Sequence, residues 1–169
     1  MRQSTTRRTQ TWTHRERVID SQLHPDQIRV QPDPFAPLAG ARREHLGRVV
    51  TQIQAKGRLP RVCLYALSVR GQEPQHSFRA AEAYAVRQSW QVVTRQSYTD
   101  RQGLAEPALR PGWRFVRQQI RAGYADGVVT VTPSVISSRV DEVRQEIDWF
   151  GQHFGFIALV VPEMTRAQV

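Results

Sequence analysis

From Arg61 onward the apolar positions of this chain alternate between two periods. Val62-Cys63-Leu64-Tyr65-Ala66-Leu67 is a short, almost wholly apolar run, the pattern of a strand covered on both faces. Phe78, Ala81 and Ala85 then recur at helical spacing behind Pro74, a residue suited to a first helical turn, and predict a helix to about Gln88. Trp90-Gln91-Val92-Val93 opens a second strand, and Tyr98 to Leu109 reads as a polar loop. Pro111 starts a helix with Trp113, Val116 and Ile120 on its inner face and Arg114, Arg117 and Arg121 outward.

Beyond the Asp126-Gly127 turn, Val128-Val129-Thr130-Val131 is a third strand rich in β-branched residues. Ser137 or Ser138 is placed to cap the next helix, and Asp141 and Glu142 suit its first turn. Val140, Val143, Ile147, Phe150 and Phe154 form its apolar stripe, Gly155 ends it, and Phe156 to Val161 is the fourth strand. Alternation at these intervals implies βαβ units. The predicted fold class is α/β, a mostly parallel four-stranded sheet flanked by helices over residues 61–163, with 164–169 as a tail.

The segment ahead of this domain has a different character. Leu46, Val49, Val50 and Ile53 fall at helical spacing and predict an amphipathic helix over 41–57, stopped by Gly57. Residues 1–40 mix Arg, Thr, Gln and Asp and then reach Pro32, Pro34 and Pro37, which disfavour a helix, so a disordered basic arm is expected. Residues 1–60 carry 11 Lys+Arg against 5 Asp+Glu, whereas residues 61–169 carry 13 against 10. Lys56 is the only lysine. Such an arginine excess steers a chain toward phosphate backbones or other acidic surfaces, and it equally serves as plain solubilising charge.

Several chemistries are not supported. Cys63 is the single cysteine, so there is no intrachain disulfide or cysteine-based zinc site, and its apolar setting suits an inert buried thiol. His14, His24, His45, His76 and His153 show no ligand spacing, so no metal is expected. No Gly-rich phosphate loop follows the first strand and no Gly-x-Ser-x-Gly elbow occurs, so no nucleotide or other cofactor is expected. No apolar stretch approaches the ~18 residues of a membrane span, and no apolar core follows the N-terminal arginines as in a signal peptide. A cytoplasmic location is the expectation.

In open α/β sheets chemistry gathers at the carboxyl ends of the strands. Read in order, those ends give Tyr65-Ala66-Leu67-Ser68-Val69-Arg70 followed by Gln72, then Tyr98-Thr99-Asp100, Arg110-Pro111-Gly112, Asp126-Gly127-Val128-Val129, and Ser137-Ser138-Arg139. This series resembles the resolvase/invertase catalytic domain of serine recombinases. That family has a Tyr-x-Arg-Val-Ser strand, an Asp-containing turn, Arg-Pro-Gly at a helix start, an Asp-x-Val-Val-Val strand, and Leu-Asp-Arg-Leu-Ser-Arg. The likeness runs from Arg61 to about Pro162. It implies a serine that attacks a DNA phosphodiester to form a phosphoseryl link, with arginines around the pentacoordinate phosphate.

On that resemblance Tyr65, Asp100 and Arg110 keep the family's residue. The strand arginine falls on Leu67 and the nucleophile on Val69. The later Asp-Arg pair falls near Ser134 and Val135 and the final arginine near Ser138, with Arg139 one place late. A displaced nucleophile at Ser68 is the candidate left. Strand parity turns it away from Tyr65, and its alternative is a satisfied hydroxyl at a strand end.

Arg110 suits either a phosphate beside its helix N-terminus or an ion pair with Asp100. Arg70, Arg110, Arg114, Arg117, Arg121 and Arg139 are the candidate phosphate or DNA contacts. Tyr65 equally suits a core role, and the arginine row a solvated face. The leading expectation is a catalytically inactive recombinase-like domain acting through the DNA backbone or a protein partner. The alternatives are an active recombinase using Ser68 and a generic doubly wound binding domain.

Overall fold

A computed structural model describes residues 31–103 and 105–164. Most of the basic arm (residues 1–30) and most of the expected tail (165–169) lie outside the described residues. The sheet has four parallel strands, β1 (Arg61–Ser68), β2 (Gln91–Arg101), β3 (Gly127–Thr130) and β4 (Phe156–Leu159), in the order β2-β1-β3-β4. Among the described residues five helices surround it: α1 (Ala39–Ala55), α2 (Gln75–Arg87), α3 (Pro111–Arg121), the short α4 (Pro133–Ile136) and α5 (Val140–Gln152). The α/β fold with a parallel sheet follows the expectation from periodicity.

The two faces of the sheet carry separate cores. On one face Cys63, Tyr65, Val128, Ile157 and Leu159 pack with Trp113, Val116 and Ile120 of α3 and Val143, Ile147 and Phe150 of α5. On the other, Val62, Leu64, Val129, Phe156 and Ala158 pack with Val49 and Ile53 of α1 and Ala81 and Ala85 of α2. The result is three layers. Successive residues of β1 alternate between the two cores, as the two-residue period of a strand requires. Each short, continuously apolar strand is thus covered on both faces.

Three features differ from the sequence expectation. The second strand continues to Arg101, so the first part of the predicted Tyr98–Leu109 loop belongs to the sheet. Its ladder with β1 is interrupted: Val62 pairs with Val92, and pairing resumes only at Leu64 with Ser97. The additional residues form a bulge that includes Arg95 at φ 63°, and a bulge of this kind breaks the apolar alternation that marks a strand.

Phe154, predicted on the buried stripe of the last helix, is 74% exposed. The helix ends before it, at Gln152, and Phe154 has left-handed φ (56°), which turns it off the helical face.

The ordered fold also begins earlier than residue 41. Phe35 and Leu38 are buried in the first core, and a turn of 3-10 helix at Ala36–Leu38 leads into α1. Pro37 lies in the opening residues of that turn, where its missing N–H leaves no bond unmade.

One long-range tie holds this N-terminal element. Arg42 Nε and Nη2 donate to Glu163 Oε1 and Oε2 at 2.7 and 2.9 Å, and Nη1 donates to the Ile157 carbonyl at 3.2 Å. Both side chains are buried. A bidentate pair with a further carbonyl is the arrangement that makes burial of two charges tolerable.

Candidate functional site

The carboxyl end of β1 lies beside that of β2, with Leu67 opposite Asp100 and Ser68 opposite Arg101. Asp100 is buried and directs its carboxylate at the start of α3. Oδ1 accepts from the Gly112 amide at 2.8 Å, and Oδ2 accepts from the Trp113 amide at 2.9 Å and from Tyr65 Oη at 2.8 Å. The carboxylate therefore caps two of the free N–H groups of the helix and opposes its positive end.

The local sequence suits this cap. Pro111 occupies the first turn, where no N–H is needed. Gly112 lets the strand approach, since a Cβ there would lie 2.6 Å from the Thr99 carbonyl oxygen and 2.8 Å from Asp100 Oδ2. Burial, followed by the neighbouring charge of Asp100, pushes the Tyr65 phenol well above its ordinary range despite the opposing influence of Arg110. Tyr65 is thus a neutral donor locked to the cap.

Arg110 is also buried. Its Nε donates to the Ala105 carbonyl at 2.8 Å and Nη1 to the Val135 carbonyl at 3.2 Å. The sequence offered an ion pair between Arg110 and Asp100. The guanidinium instead joins the Ala105 carbonyl of the preceding loop to the Val135 carbonyl of α4, and Asp100 serves the helix. Tyr65, Asp100 and Arg110 are nevertheless brought together at one end of the sheet, with Arg110 close enough to perturb the Tyr65 hydroxyl.

Ser68 is placed differently. Its Oγ donates to the backbone carbonyl of Asp100 at 3.3 Å, and strand parity sets it on the opposite face from Tyr65 and Leu67. The chain then reverses in a tight turn, Val69-Arg70-Gly71-Gln72, closed by the Gln72 amide on the Val69 carbonyl at 3.1 Å. Arg70 (φ 52°) and Gly71 (φ 74°) are both left-handed, the signature of a type I′ turn. Ser68 and Arg70 line an open depression with Arg101 and Gly103.

The remaining candidate arginines differ in freedom. Arg117 is held: its Nε donates to Glu146 Oε2 at 3.0 Å, and its guanidinium lies 4.6 Å from the centre of the Trp149 ring. Glu146 is buried and also accepts from Trp113 Nε1 at 2.7 Å. Arg139 is exposed and pairs with Asp141 and Glu142 at the head of its own helix. Arg114 and Arg121 are exposed and make no ion pair among the described residues. Sequence reasoning missed the role of Asp100 as a helix cap. The order Asp, then Pro-Gly at a helix start, is the signal that carried it.

Among the described residues no group of three His, Cys, Asp or Glu side chains comes together as a metal site. No described helix is long and apolar enough to cross a membrane.

No family model matches the sequence, and no curated protein matches it. Solved structures do. The C-terminal catalytic domain of ISC1926 TnpA, an IS607-like serine recombinase, superposes over 60% of this chain and 71% of that one, with a TM-score of 0.53 at 16% identity. This chain has the serine recombinase catalytic fold. Two further structures are similar. The N-terminal catalytic domain of TP901-1 integrase matches over 59% of this chain and 76% of that one (TM-score 0.49, 24% identity). The first open reading frame of transposon ISC1904 from Sulfolobus solfataricus P2 matches over 63% and 70% (TM-score 0.40, 18% identity). The Tyr65–Asp100–Arg110 cluster lies at the carboxyl end of β1 and the edge strand β2, the end of an open parallel sheet where sites form.

Proposed function

We propose that this domain keeps the serine recombinase fold as a DNA-backbone-binding module and does not cut DNA. The observation that carries the reading is the state of the groups at the carboxyl end of β1 and β2. Leu67 packs on the Tyr65 face, where the resemblance calls for an arginine, and Val69, at the start of the turn beyond β1, holds the position of the serine. Ser68, the only serine or threonine of β1, points by parity to the other face and is bonded to the Asp100 carbonyl. Asp100 and Tyr65 are engaged in capping α3. A serine hydroxyl attacks phosphorus only if a phosphate can be held against it by fixed positive charge. Here the buried guanidinium of Arg110 is tied to two carbonyls, and Arg70 and Arg101, which border the same open depression as Ser68, are exposed with no side-chain hydrogen bond among the described residues to fix them.

Binding to DNA is supported by the charge, a formal +9 carried almost wholly by arginine. Backbone binding of that kind releases counterions and weakens steeply with salt. The test is the affinity of the purified chain for a duplex of arbitrary sequence across a salt series. A strongly negative slope of log affinity on log salt, independent of sequence, is expected. Absence of binding at low salt overturns the reading and favours a protein partner.

A further inference from the structure

The exposed side of α3 carries a groove that the Tyr65–Asp100 cluster does not use. It is lined by Ala108, Pro111, Arg114, Phe115, Arg117, Gln118 and Arg121. From Pro107 to Ala125 the chain holds four arginines and no acidic residue. One of the four, Arg110, is buried, and another, Arg117, is fixed by Glu146 and Trp149. Arg114 and Arg121 are exposed with no acidic partner among the described residues, Arg121 lying 5.7 Å from the centre of the Trp149 ring, and the groove therefore has a positive bias.

An aromatic platform stands in the same groove. Phe115 is 52% exposed, although it belongs to a helix with a well-formed buried stripe on its other side. Its ring is stacked on Tyr98 of the edge strand β2, with centroids 5.8 Å apart and planes 13° from parallel. Tyr98 backs the ring and stiffens it. Phe115 is thus presented flat at the sheet edge, one helical residue from Arg114 and three from Gln118, an amide able to donate and accept.

A face that combines unpaired guanidinium groups with a supported, half-exposed aromatic ring fits a polyanion that also offers π-faces. An acidic peptide supplies the charge without the flat partner, and a duplex supplies phosphates with its bases already stacked. From this we infer that the α3 groove binds single-stranded nucleic acid, with Phe115 stacking on an unpaired base and Arg114 and Arg121 holding flanking phosphates. The inference rests on the DNA-binding reading above and gives it a surface and a preferred strand state. The same groove accounts for the arginine row without involving Ser68.

The test is fluorescence anisotropy with a labelled oligothymidylate of about a dozen nucleotides and, in parallel, a duplex of the same length. The unmodified chain, Phe115→Ala and Arg114→Glu are compared, with thermal melting of each to confirm folding. Arg114→Glu alters only an exposed side chain, so it reports on the groove even where Phe115→Ala loosens the helix. Phe115→Ala is expected to weaken the single strand by about 5- to 100-fold while changing duplex affinity little. Arg114→Glu is expected to weaken both strands and to flatten the salt dependence. Oligothymidylate affinity unchanged in both variants overturns the groove assignment and leaves the DNA-binding reading standing. Binding of neither nucleic acid by the unmodified chain overturns both. Displacement of oligothymidylate by polyglutamate at equal charge overturns the assignment in favour of an acidic protein.

Discussion

The amide nitrogen of Gly112 lies 2.8 Å from Asp100 Oδ1, and this bond fastens the start of α3 to the end of β2. Together with the bonds from the Trp113 amide and Tyr65 Oη, it makes Asp100 the joint between strand, helix and core. Removing the carboxylate leaves two helix N–H groups and one buried phenol without an acceptor. Asp100→Ala is therefore expected to destabilise the domain by about 2–4 kcal/mol, and Asp100→Asn, which keeps one acceptor oxygen, by clearly less. Urea titration of the two variants measures this, and equal losses would contradict the cap.

Gly112→Ala sets helix propensity against packing. Alanine is the better helix former by about 1 kcal/mol, yet its Cβ would sit 2.6 Å from the Thr99 carbonyl oxygen. Backbone atoms yield little, so the clash wins, with an expected net loss of about 1–3 kcal/mol. A stabilised variant in thermal melting would show that strand and helix are less closely packed than described.

How much of this was legible in the sequence differs by element. The buried strands announced themselves as continuous apolar runs, because residues such as Val62 to Ala66 are covered on both faces. The extension of β2 was hidden by its position at the edge of the sheet, where Ser97 and Thr99 face solvent, and by the bulge at Arg95. Phe154 shared the helical period of Phe150 but lies beyond the helix end. The Arg42–Glu163 pair joins residues 121 apart in sequence, a separation across which no local pattern speaks. The resemblance identified Tyr65, Asp100 and Arg110 as a set, and the structure brings them together. The division of labour among them, with Asp100 on the helix and Arg110 on carbonyls, depends on loop geometry that spacing does not encode.

Acid stability turns on Asp126. Burial by itself raises its carboxyl, but hydrogen bonds from Arg58 and from the amide and guanidinium of Arg61 outweigh that and hold it below its ordinary value. Glu163 is lowered in the same way, with the Arg42 hydrogen bonds outweighing burial. For a carboxyl depressed on folding, the stabilisation is fully present above its unfolded value of about 4 and is lost as pH falls through the folded value. Asp126→Asn is expected to lower stability at neutral pH and to flatten the decline below about pH 4. Denaturant midpoints from pH 7 down to about pH 2 check it, and an unchanged acid slope would contradict the assignment.

Cys63 offers an independent probe of the core. Burial pushes its thiol up to about 12, and its Sγ donates to Gln96 Oε1 at 3.3 Å inside the bulged region. A thiol that stays protonated and covered is a poor nucleophile. Aromatic disulfide reagents are expected to react with the native chain only at the rate of local opening and stoichiometrically after unfolding. Rapid native labelling would show that the β2 bulge opens readily.

The retention of the recombinase fold without strand cutting is tested most directly with supercoiled plasmid at low salt, scoring retention of the plasmid by the protein, nicking and covalent protein–DNA adduct in the same samples. Binding with no nicking and no adduct, identical for the unmodified chain and Ser68→Ala, is the expected result. A phosphoseryl adduct that disappears in Ser68→Ala would contradict it, and would mean that the Ser68 hydroxyl leaves the Asp100 carbonyl to attack the DNA backbone.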